Sequence, residues 1–296
     1  MATLEFTKMH GCGNDYIYIV ALRARPADPS ALSVKLSDRH FGVGGDGLIL
    51  LAPSSKADIR MEMYNADGSR GAMCGNGIRC LARLAFERGL VRANPMVVET
   101  DAGLKTVELR LERRRVVGAT VDMGEPILEG RYIPVDAVGR IIDYPLDVAG
   151  QHELITAVSM GNPHCVVFVA DDGVFKLHDR DFAELGRKFE HHPFFPRRVN
   201  TEFIRAVSRH NLRMRVWERG SGETWACGTG ACAALVAAVL TNHAERTATV
   251  ELRGGELEIE WRADGADANH VFMTGNAVKV FRGEIELGAG EMVPVS

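Results

Sequence analysis

Cys74-Gly75-Asn76-Gly77-Ile78-Arg79-Cys80 is written a second time, with small changes, as Cys227-Gly228-Thr229-Gly230-Ala231-Cys232. Each copy leads into an apolar run, Ile78 to Phe86 in the first case and Ala231 to Leu240 in the second. Both runs read as helices with almost no polar face, and a helix apolar all round belongs in the middle of a core. A cysteine just ahead of such a helix lies at its N-terminus, where free backbone N–H groups and the macrodipole favour an anion. The same field lowers a thiol's pKa and makes the thiolate the reactive form. Two such thiols, one in each half of the chain, point to two acid–base groups serving one site.

The duplication is wider than the cysteines. Gly13-Asn14-Asp15 precedes the apolar run Tyr16–Val20, and Gly161-Asn162-Pro163-His164 precedes Cys165–Val169. Asn65 lies nine residues before Cys74, and Glu218 lies nine before Cys227. Order and spacing are both kept, at a period of roughly 150 residues, the usual size of one domain. Two repeats are too few for a solenoid, so a pseudo-symmetric pair with a cleft between its members is the expected arrangement.

At 296 residues, 46% of them hydrophobic, the chain is long enough for two ordinary cores. Its formal charge of −4 gives no electrostatic reason to expect nucleic acid or an anionic membrane as partner. The one basic run, Arg110 to Arg115, reads as a solvated strand end or turn. No stretch approaches about 20 uninterrupted apolar residues, so no transmembrane helix is expected. No charged-then-apolar segment precedes Leu4-Glu5-Phe6, so no secretory signal is expected. Six cysteines in so long a chain do not resemble a secreted disulfide framework. Together these readings place the protein in a reducing cytoplasm.

In the first half, Tyr16–Val20, Leu48–Ala52, Ile59–Met63, Val97–Thr100, Leu104–Leu109 and Val116–Val121 read as strands, and Asp28-Pro29-Ser30 as a helix start. In the second, Leu154–Ser159, Cys165–Val169, Leu212–Trp217, Val250–Leu252 and Leu257–Trp261 are strand-like, and Asp181 to Phe189 carries helical spacing. The boundary falls near Met123-Gly124-Glu125-Pro126. The tail from Asn276 onward has no counterpart left to pair with in the second repeat, so it is expected to cross back and add strands to the first. The expected domains are therefore residues 1–122 plus 276–296, carrying Cys74, and 123–275, carrying Cys227.

Seven spaced motifs carry a family resemblance. Met9-His10-Gly11-Cys12-Gly13-Asn14-Asp15, Asn65-Ala66-Asp67-Gly68-Ser69, Cys74-Gly75-Asn76-Gly77 and Gly161-Asn162-Pro163-His164 follow one another along the chain. Val199-Asn200, Glu218-Arg219-Gly220 and Ala226 to Cys232 complete the set. The sequence resembles the diaminopimelate epimerases from residue 6 to its end. The resemblance implies an α/β fold of the α+β type, with two pseudo-symmetric domains. Each would be a mostly antiparallel sheet curled around a central apolar helix, with the active site in the inter-domain cleft. It implies interconversion of LL-2,6-diaminopimelate and meso-diaminopimelate, in lysine and peptidoglycan precursor synthesis, with no cofactor and no metal. It also implies a small-molecule substrate as the main partner and a homodimer as the assembly.

The chemistry of the residues agrees. Inverting a carbon requires removing a proton from one face and delivering another to the opposite face, which two thiols can do without moving. One must start as thiolate and the other as thiol. By resemblance, Cys227 is the proton acceptor and Cys74 the donor from LL to meso. Backbone amides of Gly75, Asn76, Gly228 and Thr229 suit the substrate α-carboxylate. Also by resemblance, Asn65, Asn162, Asn200 and Arg219 hold the distal carboxylate, Asn65 and Glu218 the distal amine, and Asn14 lies near the reacting amine. His164 orients or helps to ionise a cysteine, or braces its loop. One departure is visible in Gly45-Asp46-Gly47-Leu48, whose third position can be a glutamine in relatives that contacts the reacting amine.

Other readings of the same residues are plainer. Cys12, Cys80, Cys165 and Cys232 lack the glycine frame and read as packing residues. Gly42 to Gly47 lacks the phosphate-loop pattern and reads as a turn. Two rival functions remain: another cofactor-independent racemase of the same superfamily, acting on proline or hydroxyproline, and a non-catalytic thiol redox or metal-binding protein.

Overall fold

The structure, a computed structural model, describes residues 2–288 and 290–295. Its chain divides into two units, Met1–Val121 with Gly275–Ser296, and Asp122–Thr274. It is a mixed α+β fold in which strands greatly outnumber helices.

In the first unit the fully buried run Gly47–Ala52 anchors the sheet. It lies between Asn14–Val20, which it pairs in parallel, and Ile59–Asn65, which it pairs antiparallel. A strand covered on both faces needs no polar side, which is why its sequence is a continuous apolar run. Asn14–Val20 continues antiparallel to Ala2–Gly11, and Ala2–Gly11 to Val278–Leu287. On the other side Ile59–Asn65 runs parallel to Met96–Thr100, followed by the antiparallel strands Gly103–Glu112 and Arg115–Gly124. The last two are joined at Arg113 and Arg114, both with positive φ, so the basic run is the expected exposed turn. Helix α1 (Pro29–Ser37) starts at Asp28, whose side chain accepts from the Ala31 N–H. Helix α2 (Gly75–Glu87) touches strands from both sides of the sheet, which therefore wraps around it.

The second unit repeats these pairings. Tyr144–Val148, Gln151–Ser159 and Pro163–Phe168 are antiparallel neighbours. Pro163–Phe168 runs parallel to Asn200–Ser208, Asn200–Ser208 antiparallel to Asn211–Glu218, and Asn211–Glu218 parallel to Thr247–Leu252. Gly255–Trp261 and Val271–Gly275 close the series. Helices α3 (Gly173–Lys176) and α4 (Asp179–Glu190) lie in the connection between the parallel strands. Helix α5 (Gly228–Leu240) occupies the position of α2 and is buried from Gly230 to Ala238. The two repeats differ in where their outermost strands come from: the second draws them from the chain just ahead, the first from the tail.

Helix α2 departs from the sequence expectation of an almost wholly apolar helix. Arg83 and Glu87 pair on its outer side at 2.8 Å, while Arg79 is completely buried. The guanidinium is accommodated because it donates to the Gly75 carbonyl (3.2 Å), Asn76 Oδ1 (2.8 Å) and the Asn276 carbonyl (3.0 Å). Burying a cation is tolerable when its donors are met in this way.

Candidate functional site

Each glycine-framed cysteine caps its helix. Cys74 stands in extended conformation ahead of α2, and its sulfur accepts from the Gly77 N–H at 3.3 Å. Cys227 does the same ahead of α5, accepting from the Gly230 N–H at 3.3 Å. A sulfur thus takes the place of the oxygen that usually satisfies a free N-terminal donor. The local geometry of the two thiols is a faithful repeat. Their electrostatic surroundings are not.

Around Cys74, burial pushes the thiol up, while the Gly77 N–H, the Tyr16 hydroxyl, the Asn76 N–H and the Arg79 charge pull it back. The sulfur lies 3.1 Å from Asn14 Oδ1. The other end of that amide donates to Asp46 Oδ2 at 2.7 Å, which fixes the way Asn14 faces. Asp46 also accepts from the Asp15 N–H and from Arg39, both at 3.0 Å. Lys8, itself buried, meets Asp15 at 2.6 Å, and Arg39 meets it at 2.7 Å. Burial raises the Asp15 carboxyl, but Arg39 and Lys8 outweigh it and hold the group below its ordinary value. Burial and the Asp15 charge raise Asp46 instead.

Around Cys227, burial drives the thiol well above its ordinary value, and the charges of Glu218 and Glu202 drive it further. The Thr229 hydroxyl and the Gly230 N–H oppose them. Glu218 is raised by burial and by Glu202, and is bonded by the Thr224 hydroxyl. His164 is fully buried, with Nδ1 at 2.7 Å from Glu202 Oε1 and Nε2 at 3.1 Å from Asn162 Oδ1. A thiol beside two carboxylates ionises readily only when a cation joins it.

The remaining expected residues divide between the units. In the first, Asn14, Cys74, Gly75 and Asn76 come together. The Asn76 side chain is taken up by Arg79, leaving its backbone N–H beside the thiol. Asn65 pairs across the sheet with Gly47 and donates to Ser69 Oγ at 2.9 Å. In the second, Asn162, His164, Glu218, Cys227, Gly228 and Thr229 cluster at the α5 N-terminus. Asn200 is buried, donating to the Pro163 carbonyl (3.1 Å) and accepting from the Arg219 N–H (2.8 Å). Its amide thereby sets the backbone of Arg219, whose exposed guanidinium reaches the Arg197 carbonyl at 3.1 Å.

Two carboxylates of this region escaped sequence reading. Glu190, buried at the end of α4, accepts from Trp217 Nε1 (2.7 Å) and from the Gly220 N–H (2.9 Å), so it fixes both flanks of Glu218-Arg219. Nothing in its local sequence marks it. Glu202 is completely buried, and here a signal existed: it stands two residues beyond Asn200 on one strand, hence on the same face. His164, Glu202 and Cys227 offer three buried ligand atoms within 4.8 Å of one another. The imidazole–carboxylate contact of 2.7 Å is shorter than the roughly 3.3 Å that two ligands keep around tetrahedral zinc. That spacing suits a shared proton.

Comparison with known proteins decides the family. The family description "Diaminopimelate epimerase" matches residues 6–129 and 156–280. The chain belongs to the diaminopimelate epimerase family. It is 50% identical to the diaminopimelate epimerase of Acetivibrio thermocellus over 96% of this chain and 99% of that one. With the protein of the same name from Desulfovibrio desulfuricans it shares 52% identity, over 95% of this chain and 98% of the other. Among solved structures, a probable proline racemase from Agrobacterium radiobacter has the same fold, with a TM-score of 0.68 and 16% identity. That match covers 97% of this chain and 94% of the racemase.

Gly47 can be explained against the diaminopimelate epimerase pattern. A Cβ at this position would lie 2.1 Å from the Tyr64 carbonyl oxygen and 3.0 Å from the Tyr16 ring. No side chain fits at position 47 on this backbone beside the neighbouring strand.

Proposed function

We propose that this chain interconverts LL-2,6-diaminopimelate and meso-diaminopimelate, without a cofactor, by proton transfer between two thiols. The observation that carries the reading is the repeated cap: Cys74 and Cys227 each accept from the N–H three residues on, at 3.3 Å. Full-length identity near 50% to proteins named diaminopimelate epimerase supports the substrate. In this reading Cys227 accepts the α-proton of the LL isomer and Cys74 donates one to the opposite face. Backbone N–H groups at Gly75, Asn76, Gly228 and Thr229 receive the reacting carboxylate and spread the charge that develops beside it. Asn14 lies near the reacting amine, Asn65, Asn162, Asn200 and Arg219 hold the distal carboxylate, and Asn65 with Glu218 holds the distal amine.

The electrostatics give the order of events. Both thiols are raised by burial, and Cys227 also by two carboxylates. An arriving ammonium group offsets those carboxylates, so substrate binding itself promotes ionisation of the accepting thiol. A cytoplasmic location belongs to the same reading, supported by six free cysteines. A homodimer belongs to it on the family resemblance. No helix among the described residues is long and apolar enough to cross a membrane.

The direct test incubates purified protein with LL-diaminopimelate in buffer containing a chelator and no pyridoxal phosphate, and resolves the isomers. Approach to an LL–meso mixture is expected. Conversion of proline with none of diaminopimelate would overturn the reading in favour of a different racemase.

A further inference from the structure

His164 is gripped from both sides. Its Nδ1 meets a carboxylate oxygen of Glu202 at 2.7 Å, and its Nε2 meets the amide oxygen of Asn162 at 3.1 Å. Both partners are acceptors, so an imidazole satisfying both carries a proton on each nitrogen and a positive charge. The second oxygen of Glu202 has no hydrogen-bond partner among the described residues, although the side chain is completely buried. An ionised carboxylate is costly in such a place unless a cation accompanies it. The first oxygen also presses on the start of α5, since a Cβ on Gly230 would stand 2.6 Å from it. Gly230 supplies the N–H that bonds Cys227. Glu202 therefore touches the imidazole and the helix turn that cradles the sulfur.

We propose that Glu202 is the positioning residue for this thiol: it pins the Nδ1–H of His164 and so keeps, within reach of Cys227, the positive charge that the thiolate needs. The groups facing this centre are Glu202 from Asn200–Ser208, Glu218 from Asn211–Glu218, and His164 with Cys165 from Pro163–Phe168. Their charges divide into two opposing effects. Taken directly, the Glu202 carboxylate repels a thiolate. Taken through His164, it supports one. The inference rests on reading Cys227 as a proton-transfer thiol, but it concerns that thiol's ionisation and not the identity of the substrate.

The opposition of signs makes the test decisive. Alkylation of Cys227 by iodoacetamide, followed peptide by peptide by mass spectrometry across pH, reports its thiolate fraction. Glu202→Gln keeps the size of the side chain and removes its charge. With His164 present, the substitution is expected to move the alkylation midpoint upward by about one pH unit, a roughly tenfold loss of rate at fixed pH. In a His164→Asn background the same substitution is expected to move the midpoint downward, because only the repulsion is left to lose. A downward or absent shift with His164 present, or equal shifts in both backgrounds, overturns the proposal. The unmodified protein gives an independent reading that needs no variant. Imidazole 15N shifts are expected to show His164 protonated on both nitrogens, and a ring protonated on one nitrogen alone overturns it. Neither measurement uses diaminopimelate, so loss of the epimerase reading would appear separately in the isomer assay.

Discussion

The sulfur of Cys74 lies 3.1 Å from Asn14 Oδ1, an oxygen whose orientation is fixed because the other end of the amide donates to Asp46. The contact suits a thiol that donates to a carbonyl, hence the protonated form of Cys74. Asn14→Asp keeps the shape and sets a negative charge at that oxygen. Ionisation of Cys74 should become harder, and the pH profile of Cys74 alkylation should move upward by about one unit, worth roughly 1.4 kcal/mol. An unchanged profile would mean that Asn14 does not sense the thiol.

If each thiol serves one face of the reacting carbon, each single variant should keep a one-sided activity. Cys74→Ala should lose epimerisation by about 10²–10⁴-fold, the usual worth of a general acid or base. The surviving Cys227 should still exchange the α-hydrogen of one isomer with deuterium from solvent, with retention. Cys227→Ala should show the mirror preference. Proton NMR in D₂O with LL and meso substrate follows both. Exchange from both isomers by one variant would point to a single mobile base.

Arg219 presents an exposed guanidinium on a backbone set by Asn200 and Glu190. Arg219→Lys retains the charge and loses the planar fork. Its cost in kcat/KM for diaminopimelate should be about 1.5–3 kcal/mol, the worth of a hydrogen bond to a charged group. Steady-state kinetics checks this, and the loss should appear chiefly in KM.

Alkaline pH should unfold this protein early. Burial pushes Cys80 up to about 12 and Cys165 and Cys227 well above the ordinary thiol. In the unfolded chain these thiols ionise near pH ~8.5. A folded-state pKa above the unfolded one contributes stability that is complete below the unfolded value and is lost as pH rises through the folded one. The urea midpoint should hold steady from about pH 7 to 8 and fall beyond about 9. Cys165→Ala should make that fall shallower.

Much of this was legible in the sequence, for physical reasons. Both copies of the Cys-Gly-x-Gly frame mark a helix start, because small residues let the first turn close on the cysteine. Gly47–Ala52 and residues 165–168 are apolar throughout because both sheet faces are covered. Ala2–Gly11 was hidden, since Lys8 interrupts its pattern and is buried by virtue of Asp15 on the next strand and the Gly44 carbonyl. Arg79 is buried against the ordinary preference of its charge, and its hydrogen bonds account for it. Glu190 was invisible because its partner Trp217 is distant in the chain, and Glu202, though it shares a strand face with Asn200, shows its role only once the fold brings it to His164. Local pattern reveals elements, whereas buried charge is decided by pairs that only the fold assembles.

The tail strand has a consequence for the order in which a ribosome could complete this molecule. Ala2–Gly11 finds its outer neighbour only in Val278–Leu287, and Arg79 finds one of its acceptors only at Asn276. Everything the second unit needs, from Asp122 to Thr274, has by then been synthesised. At about 5–20 residues per second, the opening strand emerges many seconds before its mate. The usual N-terminal-first order is therefore inverted: the later repeat can finish first, and the helix behind Cys74 receives its last support from residues made after that repeat is complete. A nascent chain released short of residue 276 would carry both thiols and lack the carbonyl that holds Arg79 in place.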